Sequence, residues 1–560
     1  MRIKLAVEIR VLVSALLAAC FAFAFLYLRR GSTLASPQVW SEDGYYIVPQ
    51  FLTDGWSTML VPVQGYLISV SRLISNSALT FTPTGYPFMT TLLAWLFTAA
   101  IAVFIATAPT LLKGRIWLSL ACFLIPADPE TFGTPLYSFW WAGLVLLLLP
   151  FWERKDRYLL LRLGALLLCG LSSPLIVLIS PLMVFRYVAL KYRSDLVLLV
   201  VTLMCAVVQI WLILSNGKSN GAPEISWTTM RVVVDKFFGL FVVDVGYQLD
   251  NVLWLFGLMV IAAISCALWV IRDRWVSISL LYVLLGTVGL SVARVDIEII
   301  HPVFAGPRYF FYPYIILTWI LIQGIGQPKA PVFMKGVFLL VLLGALANAL
   351  GSGWSRTHHN ADWSLHVASC LHFQDYAMPV QTSGDRGSVC LKEYSADICG
   401  ELMGNANVDL AELYPYTIRS DTTSLCDGSP AIPEVEANRF RVVSQDINGS
   451  NHQRSAPDGF KPLGSVVTGD ADVGSITVLM SKGTNLLFNS GPAGKNQRYY
   501  VEGDGHTYAG RLPVCVEWCV LEFSSDLLPA EFTVKLSDQG KGWGEWFAIG
   551  VPESRREPIQ

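Results

Sequence analysis

The residues most able to do chemistry are two adjacent carboxylates, Glu42 and Asp43, in the stretch VWSEDGYYIVPQ at residues 39–50. They follow Trp40 and precede two tyrosines, and no basic residue lies beside them in the sequence. A carboxylate can act as a general base that takes a proton from a hydroxyl nucleophile, and burial near aromatic rings would tune its pKa. The pair could also bind a metal ion, or lie in a solvated loop, where acidic residues are common.

Arg308 is a candidate partner for these carboxylates, because a substrate that carries a phosphate needs a cation to bind it. It stands in GPRYFFYPY, at the outer end of a predicted membrane span, and is followed by Tyr309. A guanidinium can bind a phosphate through two parallel hydrogen bonds. Arg294 is a second candidate. Both arginines could instead be interfacial anchors whose long side chains reach water.

The composition is that of a membrane protein. Of its 560 residues, 53% are hydrophobic and 15% charged, whereas soluble domains average about 25% charged residues. The formal net charge of -2 provides no basic surface of the kind that binds nucleic acid. The apolar run from Val11 to Leu28 is longer than the about 7–15 residues of a signal sequence and ends in Arg29 and Arg30. We interpret it as a retained transmembrane helix.

Apolar runs in residues 1–350 predict a polytopic α-helical membrane protein with about eleven spans, since a span needs about 17–25 apolar residues. Positive charges concentrate in alternate short loops, which places the N-terminus inside and residues 351–560 outside, with Arg29 and Arg30 as the exception. Ser172 to Pro174 predict a broken helix of the kind that lines a cavity. Residues 65–80 predict an amphipathic helix in the membrane interface. The predicted spans are 11–28, 87–109, 115–127, 138–152, 158–171, 174–190, 196–214, 252–271, 276–293, 309–325 and 334–350.

The tail predicts an extracytoplasmic region in two parts. Residues 351–436 have a mixed, partly helical pattern, and residues 437–560 have short strands typical of a β-sandwich or jelly roll. Six tail cysteines could form up to three disulfides. On a continuous strand Cys515 and Cys519 would be about 13 Å apart, too far to bridge, so each is expected to need another partner. The six are Cys370, Cys390, Cys399, Cys426, Cys515 and Cys519.

About eleven predicted spans, an acidic pair in the first outer loop and a C-terminal outer domain resemble the GT-C class of integral membrane glycosyltransferases. The stretches WSEDGYYIVPQFLTDGW and VPVQGYLISVSRLI are similar to bacterial multi-span proteins related to the Gtr-type O-antigen glucosyltransferases, and PADPETFGTPLYSFWWAGL and GPRYFFYP also look like family positions. The resemblance covers about residues 10–330. The matching residues are Trp40, Glu42, Asp43, Gly44, Gly65, Tyr66, Arg72, Pro126, Glu130, Trp140, Arg308 and Tyr309.

The resemblance implies an inverting glycosyltransferase of a bacterial inner membrane, with its C-terminal domain in the periplasm. The donor would be a sugar, expected to be a hexose, on a polyprenyl phosphate, and the acceptor an extracytoplasmic glycan such as O-antigen in lipopolysaccharide. Asp43 or Glu42 would be the base, and no metal or other cofactor is expected. Donor phosphate contacts are expected from Arg308, Tyr309 and Arg294, and other substrate contacts from Trp40, Tyr66, Arg72, Glu130 and Trp140.

Two other classes of function remain open at the level of the sequence. A transporter or flippase of lipid-linked glycans would place polar residues at the midplane of the membrane, but these spans are nearly free of charge. A ligase or polymerase of lipid-linked glycans would also work at the outer face. The glycosyltransferase hypothesis predicts that Asp43→Asn removes activity while the protein still inserts into the membrane.

Overall fold

The computed structural model describes residues 2–552, apart from several short internal stretches. The stretches outside the description are 154–157, 217–225, 244–251, 352–353, 357–362, 371–374, 382–388, 404–416, 420–439, 448–455, 458, 466–472, 492–495, 504–505, 516–517, 524–527 and 542–543. The described secondary structure within residues 2–350 is helical, and the remaining described residues form two small helices and twelve strands.

Where the structure describes the chain, sixteen α-helices lie in the N-terminal region and two more lie in the tail. In chain order they are α1 (Arg2–Arg30), α2 (Ser32–Ala35), α3 (Val48–Asp54), α4 (Ser69–Phe81), α5 (Tyr86–Thr107), α6 (Arg115–Ala121), α7 (Ser138–Leu148), α8 (Leu159–Gly170), α9 (Leu175–Leu190), α10 (Arg193–Asn216), α11 (Trp227–Val233), α12 (Leu240–Val242), α13 (Leu253–Val270), α14 (Arg274–Arg294), α15 (Arg308–Ile325), α16 (Val332–Leu350), α17 (Trp363–Cys370) and α18 (Ala396–Met403). Apolar side chains of the helices in the N-terminal region, except α3, share one large core. Helices α3, α17 and α18 contribute to a second core together with the tail strands.

Six of the described helices, α1, α5, α10, α13, α14 and α16, are long and apolar enough to cross a membrane, which makes the chain a multi-pass membrane protein. Three more apolar helices, α7 to α9, are shorter. The break predicted at Ser172 to Pro174 is present, because α8 ends at Gly170 and α9 begins at Leu175. The single helical span predicted at 115–127 is wrong. Its helix, α6, has seven residues and is about 10 Å long, against about 30 Å of hydrocarbon.

Arg29 explains both the short α6 and the exception to the charge pattern. Its guanidinium donates hydrogen bonds to the carbonyls of Phe123 (2.8 Å), Ile125 (3.3 Å) and Ala127. These carbonyls therefore have a donor outside a helix, and Pro126 has no N–H to continue one. Arg29 and Arg30 are 0% and 2% exposed. Both charges are buried in the protein, so they do not report on which side of the membrane the loop lies.

Helix α4 is present where an interfacial helix was predicted, but its location differs from the prediction. Most of its residues are buried, including Arg72, Ser75 and Asn76. It contacts α5, α7 and α8, and also α3 and the turns that flank α3. The polar residues that suggested a water-facing side instead make internal hydrogen bonds, such as that from Arg72 Nε to the Val61 carbonyl (3.0 Å). Helix α4 is therefore part of the packed interior beneath the first loop.

The tail contains a hairpin and two larger antiparallel sheets. The strands are β1 (Asp375–Gln381), β2 (Val389–Ser395), β3 (Thr417–Arg419), β4 (Arg441–Gln445), β5 (Phe460–Gly464), β6 (Gly474–Ser481), β7 (Thr484–Ser490), β8 (Gln497–Gly503), β9 (His506–Arg511), β10 (Cys519–Phe523), β11 (Glu531–Asp538) and β12 (Phe547–Pro552). Strands β1 and β2 pair with each other, and the larger sheets have the orders β3-β10-β7-β12-β5 and β4-β6-β11-β8-β9. Alternate residues of both larger sheets enter one core, which gives a sandwich.

Within the part of the tail that the structure describes, two disulfides join cysteines, and one of them corrects the sequence prediction. Cys370 on α17 bonds to Cys399 on α18. Cys515 bonds to Cys519, with Cα atoms 6.0 Å apart, because β10 begins only at Cys519 and the two residues do not share an extended strand. Cys390 lies on β2, and Cys426 lies outside the described residues. The five cysteines of the helical region are free thiols.

We expect the two classes of cysteine to separate by alkylation in denaturing detergent. The thiols of Cys20, Cys122, Cys169, Cys205 and Cys266 should react without a reductant, because the structure leaves them unpaired. Peptides that contain Cys370, Cys399, Cys515 and Cys519 should be alkylated only after reduction. Mass spectrometry of the digested protein measures both sets. Alkylation of Cys515 or Cys519 before reduction, in protein isolated from an oxidising compartment, would contradict this pairing.

Candidate active site

The acidic pair lies at the start of a π-helical turn, Asp43–Ile47, which leads directly into α3. The Val48 N–H closes this turn by donating to the carbonyl of Asp43. The next residue, Pro49, has no N–H to donate. Single π-helical turns are often found at functional sites, since the extra residue changes where side chains point. Here the turn sends the two carboxylates into different surroundings.

A cavity of about 500 Å³ lies beside this turn and is bounded by the first loop and by α7, α9, α10, α14 and α15. Charged groups line it at Glu42, Arg294 and Arg308, and most of the other lining residues are apolar or aromatic. The uncharged lining residues are Val63, Gln64, Tyr66, Ile68, Leu136, Tyr137, Phe139, Trp140, Ser173, Pro174, Leu175, Val177, Leu178, Ile213, Tyr282, Thr287, Leu290, Ser291, Ala293, Tyr309 and Tyr312. Such a cavity suits a ligand with an anionic head and an apolar body.

Glu42 is the carboxylate that faces the cavity. Burial raises its pKa, and the nearby negative charge of Glu130 raises it further, while the positive charge of Arg308 lowers it. Its Oε2 atom is buried and has no hydrogen-bond partner among the described residues. Glu42 therefore has the properties of a general base: a raised pKa, an oxygen that can accept a proton, and a cation nearby.

Asp43 is 1% exposed and does not line the cavity. Burial raises its pKa well above the usual value, and the neighbouring charge of Glu42 raises it further, against a backbone hydrogen bond from Leu136 and the positive charge of Arg72. An ionised Glu42 thus favours a protonated Asp43. The two carboxylates differ in environment, as acid and base pairs in active sites commonly do.

Arg308 is held at the cavity by groups behind it. Its Nη1 atom donates to Glu130 Oε1 (2.7 Å) and to the hydroxyl of Tyr137 (3.0 Å). The Arg308 side chain is 24% exposed, whereas that of Glu130 is 0% exposed. The guanidinium also lies over the rings of Tyr137 and Tyr309, at 5.5 and 5.3 Å from their centroids. These contacts fix the guanidinium and leave part of it facing the cavity.

A tight turn brings Tyr66 to the same cavity. Val63 and Tyr66 pair across Gln64 and Gly65, which both have positive φ (50° and 91°), so the second position favours glycine. Burial raises the pKa of Tyr66 to about 12, so its hydroxyl is a neutral hydrogen-bond donor. Arg294 Nη2 donates to the Gln64 carbonyl (3.3 Å) from α14.

The structure divides the site residues that the sequence predicted into two sets. Glu42, Tyr66, Trp140, Arg294, Arg308 and Tyr309 line the cavity. Asp43, Trp40, Arg72 and Glu130 do not.

Two members of the second set, Trp40 and Glu130, contact residues that line the cavity. Trp40 packs against Tyr137, with ring centroids 5.4 Å apart. Arg72 donates to Gln50 Oε1 (2.6 Å) from its Nη2 atom, and burial lowers its pKa to about 10. Glu130 anchors Arg308. Trp40, Arg72 and Glu130 therefore lie outside the cavity lining, and the direct substrate contacts expected of them stay predictions.

Sequence reasoning missed Tyr137 and the apolar wall of the cavity. Tyr137 stands three residues before Trp140 in an assigned motif, but nothing in its spacing indicates a hydrogen bond to Arg308. Ser173 and Pro174 line the cavity, as the predicted helix break suggested. Among the described residues, no group of three or more His, Cys, Asp or Glu side chains is arranged to hold a metal ion.

Comparisons with known proteins provide little guidance. No family model matches the chain, and no curated protein matches it. A search of solved structures finds the arabinosyltransferase EmbB from Mycobacterium smegmatis, determined by cryo-EM, with 10% sequence identity and a TM-score of 0.23 over 97% of this chain. The chain spans 64% of the length of that protein.

The contact between Arg308 and Glu130 predicts an asymmetric effect on stability. Arg308→Gln leaves the fully buried Glu130 without its cation and should cost roughly 3–5 kcal/mol of unfolding free energy. Glu130→Gln should cost less, because Arg308 is partly exposed and can still meet water. The double variant should recover part of the loss. Thermal unfolding in detergent measures all three, and strictly additive losses would contradict the coupling.

Proposed function

We propose that the chain is a membrane glycosyltransferase of the GT-C class, which transfers a sugar from a polyprenyl phosphate to a glycan outside the cytoplasm. The observation that carries this proposal is one cavity in which a carboxylate, Glu42, faces an anchored guanidinium, Arg308, beside an apolar wall. A lipid-linked sugar has three parts that match: a sugar, a phosphate and an apolar chain.

The phosphate is assigned to Arg308. One of its nitrogens is committed to Glu130 and Tyr137, and the exposed remainder of the guanidinium can donate to phosphate oxygens. Arg294 adds a second positive charge to the same lining. The aromatic rings of Trp140 and Tyr309 border this end of the cavity and offer faces on which a sugar ring can stack.

The polyprenyl chain is assigned to the apolar wall. Val177 and Leu178 from α9, Ile213 from α10 and Leu290 from α14 are among the apolar residues that line the cavity. Burial of an isoprenoid chain against such side chains is favourable by roughly 25 cal/mol for each Å² of apolar surface. The wall can therefore supply binding energy that is independent of the sugar.

Glu42 is the base in the proposed reaction. The acceptor oxygen forms a bond to the anomeric carbon while the bond from that carbon to the phosphate oxygen breaks. The acceptor proton passes to Glu42, and the polyprenyl phosphate leaves with the electron pair, stabilised by Arg308. Attack opposite the leaving phosphate inverts the anomeric centre. Asp43 keeps its proton and supports the turn.

The setting of this reaction follows the sequence-based expectations. The proposal includes about eleven membrane-embedded helical segments, a cytoplasmic N-terminus and a periplasmic tail in a bacterial inner membrane. The acceptor is a surface polysaccharide such as O-antigen, and the sugar is a hexose. A lipid-linked glycan transporter could use the same cavity, but it would not need a base beside the phosphate site.

Conservative carboxylate variants test the assignment of Glu42. We expect Glu42→Gln to abolish transfer, because an amide cannot accept the proton. Asp43→Asn, which the sequence alone predicted to be inactive, should keep most of the activity, because Asp43 lies outside the cavity lining and asparagine resembles a protonated aspartate. The measurement is mass spectrometry of surface and lipid-linked glycans from the host with the gene deleted or carrying each variant. Loss of the sugar in Asp43→Asn alone would move the base to Asp43, and an unchanged glycan in both variants would refute the transferase.

The proposal also predicts how the rate depends on pH. Because Glu42 must be ionised, the rate should fall as the pH drops through its pKa. Burial raises this pKa, so the fall should begin above the pKa of about 4.3 of an exposed glutamate. We call the acidic part of the pH profile, in which the rate falls, the acid limb. Arg308→Met should move the acid limb to higher pH, because the arginine favours the ionised form of the Glu42 carboxylate. The rate of sugar incorporation by spheroplasts at different external pH values tests the sign. An acid limb that moves to lower pH in Arg308→Met would contradict it.

A further inference from the structure

A tyrosine from the tail forms a hydrogen bond with the backbone of the π-helical turn Asp43–Ile47. The hydroxyl of Tyr394, on β2, donates a hydrogen bond of 2.7 Å to the carbonyl of Gly44. Tyr394 is 0% exposed. Gly44 directly follows the acidic pair, so this hydrogen bond joins the tail to the peptide unit next to Asp43, across 350 residues of sequence.

The Gly44 carbonyl needs such a donor because of the local sequence. In the π-helical turn the Val48 N–H donates to Asp43, so the next N–H in the same pattern would come from residue 49 and donate to Gly44. Residue 49 is a proline and has no N–H. A buried carbonyl without a donor is costly. The Tyr394 hydroxyl supplies the bond that the helix cannot make.

The tail packs closely around this hydrogen bond. A side chain at residue 44 would collide with Val380 of β1, which explains the glycine. Val39 and Val48, on either side of the acidic pair, share a core with Tyr394 and Val380. The Trp363 indole N–H donates to the Pro83 carbonyl (3.0 Å) and fastens α17 to the membrane region. The disulfide between Cys370 and Cys399 joins α17 to α18 within this unit.

We propose that Tyr394 is a positioning residue for Glu42, acting through its hydrogen bond to the Gly44 carbonyl, so that the tail is part of the catalytic machinery. The proposal rests on the proposed function of the cavity. Tyr394 does not line the cavity and touches no part of the donor as assigned. Its effect reaches the reaction through the backbone of the turn.

Loss of this hydroxyl should change both the rate and its pH dependence. Without the hydrogen bond the turn can relax, so the Glu42 carboxylate can shift from its position in the cavity lining and become more hydrated. More water lowers the proton affinity of a carboxylate that burial had raised. The titratable and charged groups that act on Glu42 are Arg308, Glu130, Tyr66, Tyr137, Tyr46 and Asp43. The Tyr394→Phe substitution replaces none of these residues, so it removes none of their charges.

The experiment compares Tyr394→Phe with two matched variants of the full chain in spheroplasts. Tyr500→Phe removes a tyrosine hydroxyl from β8 in the sandwich, and Trp363→Phe removes the indole hydrogen bond without touching Gly44. A labelled hexose precursor is supplied, and label in the glycan is normalised to label in the lipid-linked donor and to the amount of protein. External pH is varied from acidic to neutral.

We expect Tyr394→Phe to lower the rate about fivefold to tenfold, the effect of losing one neutral hydrogen bond, and to move the acid limb to lower pH. Tyr500→Phe and Trp363→Phe should leave the acid limb in place. An unchanged limb in Tyr394→Phe, or the same shift in Trp363→Phe, would overturn the positioning role. Glu42→Gln and Asp43→Asn in the same assay separate the two proposals. If both variants are active, the proposed function fails, and if Glu42→Gln alone is active, Glu42 is not the base and the inference fails with that assignment. If both of these assignments hold and Tyr394→Phe behaves as wild type, the inference alone fails.

Discussion

The bond between the Arg308 guanidinium and the buried Glu130 carboxylate is the contact on which the rest of the site depends. It joins segments 178 residues apart and places a cation at one end of an otherwise largely apolar cavity. A guanidinium at that depth needs a counter-charge to remain there. Because Glu130 is fully buried and Arg308 is not, the pair holds the arginine while part of its charge still acts in the cavity, where it also favours the ionised form of Glu42.

A second constraint acts on the backbone that carries the two carboxylates. The π-helical turn at Asp43–Ile47 turns Glu42 toward the cavity and Asp43 away from it, and its spare carbonyl binds Tyr394 of the tail. The membrane region and the tail therefore meet at the residues that matter most for the proposed reaction. In the proposed reaction, this contact is the route by which the tail acts on the base.

Much of this arrangement could be predicted from the sequence. The features that could not be predicted depend on backbone geometry, which residue types alone do not determine. The acidic pair, Arg308 and the helix break at Ser172 to Pro174 stood out by residue type and position, and the cavity contains residues from all three. The sequence did not reveal which carboxylate faces the cavity, because that depends on one extra residue in a helical turn. Nor could it reveal the partners of Arg29, which are backbone carbonyls and leave no mark in residue types. The pairing of Cys515 with Cys519 was hidden because the strand begins later than its pattern suggested.

The central claim is that the cavity binds a polyprenyl phosphate with its head at Arg308. The most direct measurement is a cryo-EM structure of the full chain in a lipid nanodisc with undecaprenyl phosphate added. The account predicts density for the phosphate within hydrogen-bond distance of Arg308, facing Glu42, with the isoprenoid chain along Val177, Leu178 and Leu290. Phosphate density at another place in the protein, with this cavity empty, would contradict the account.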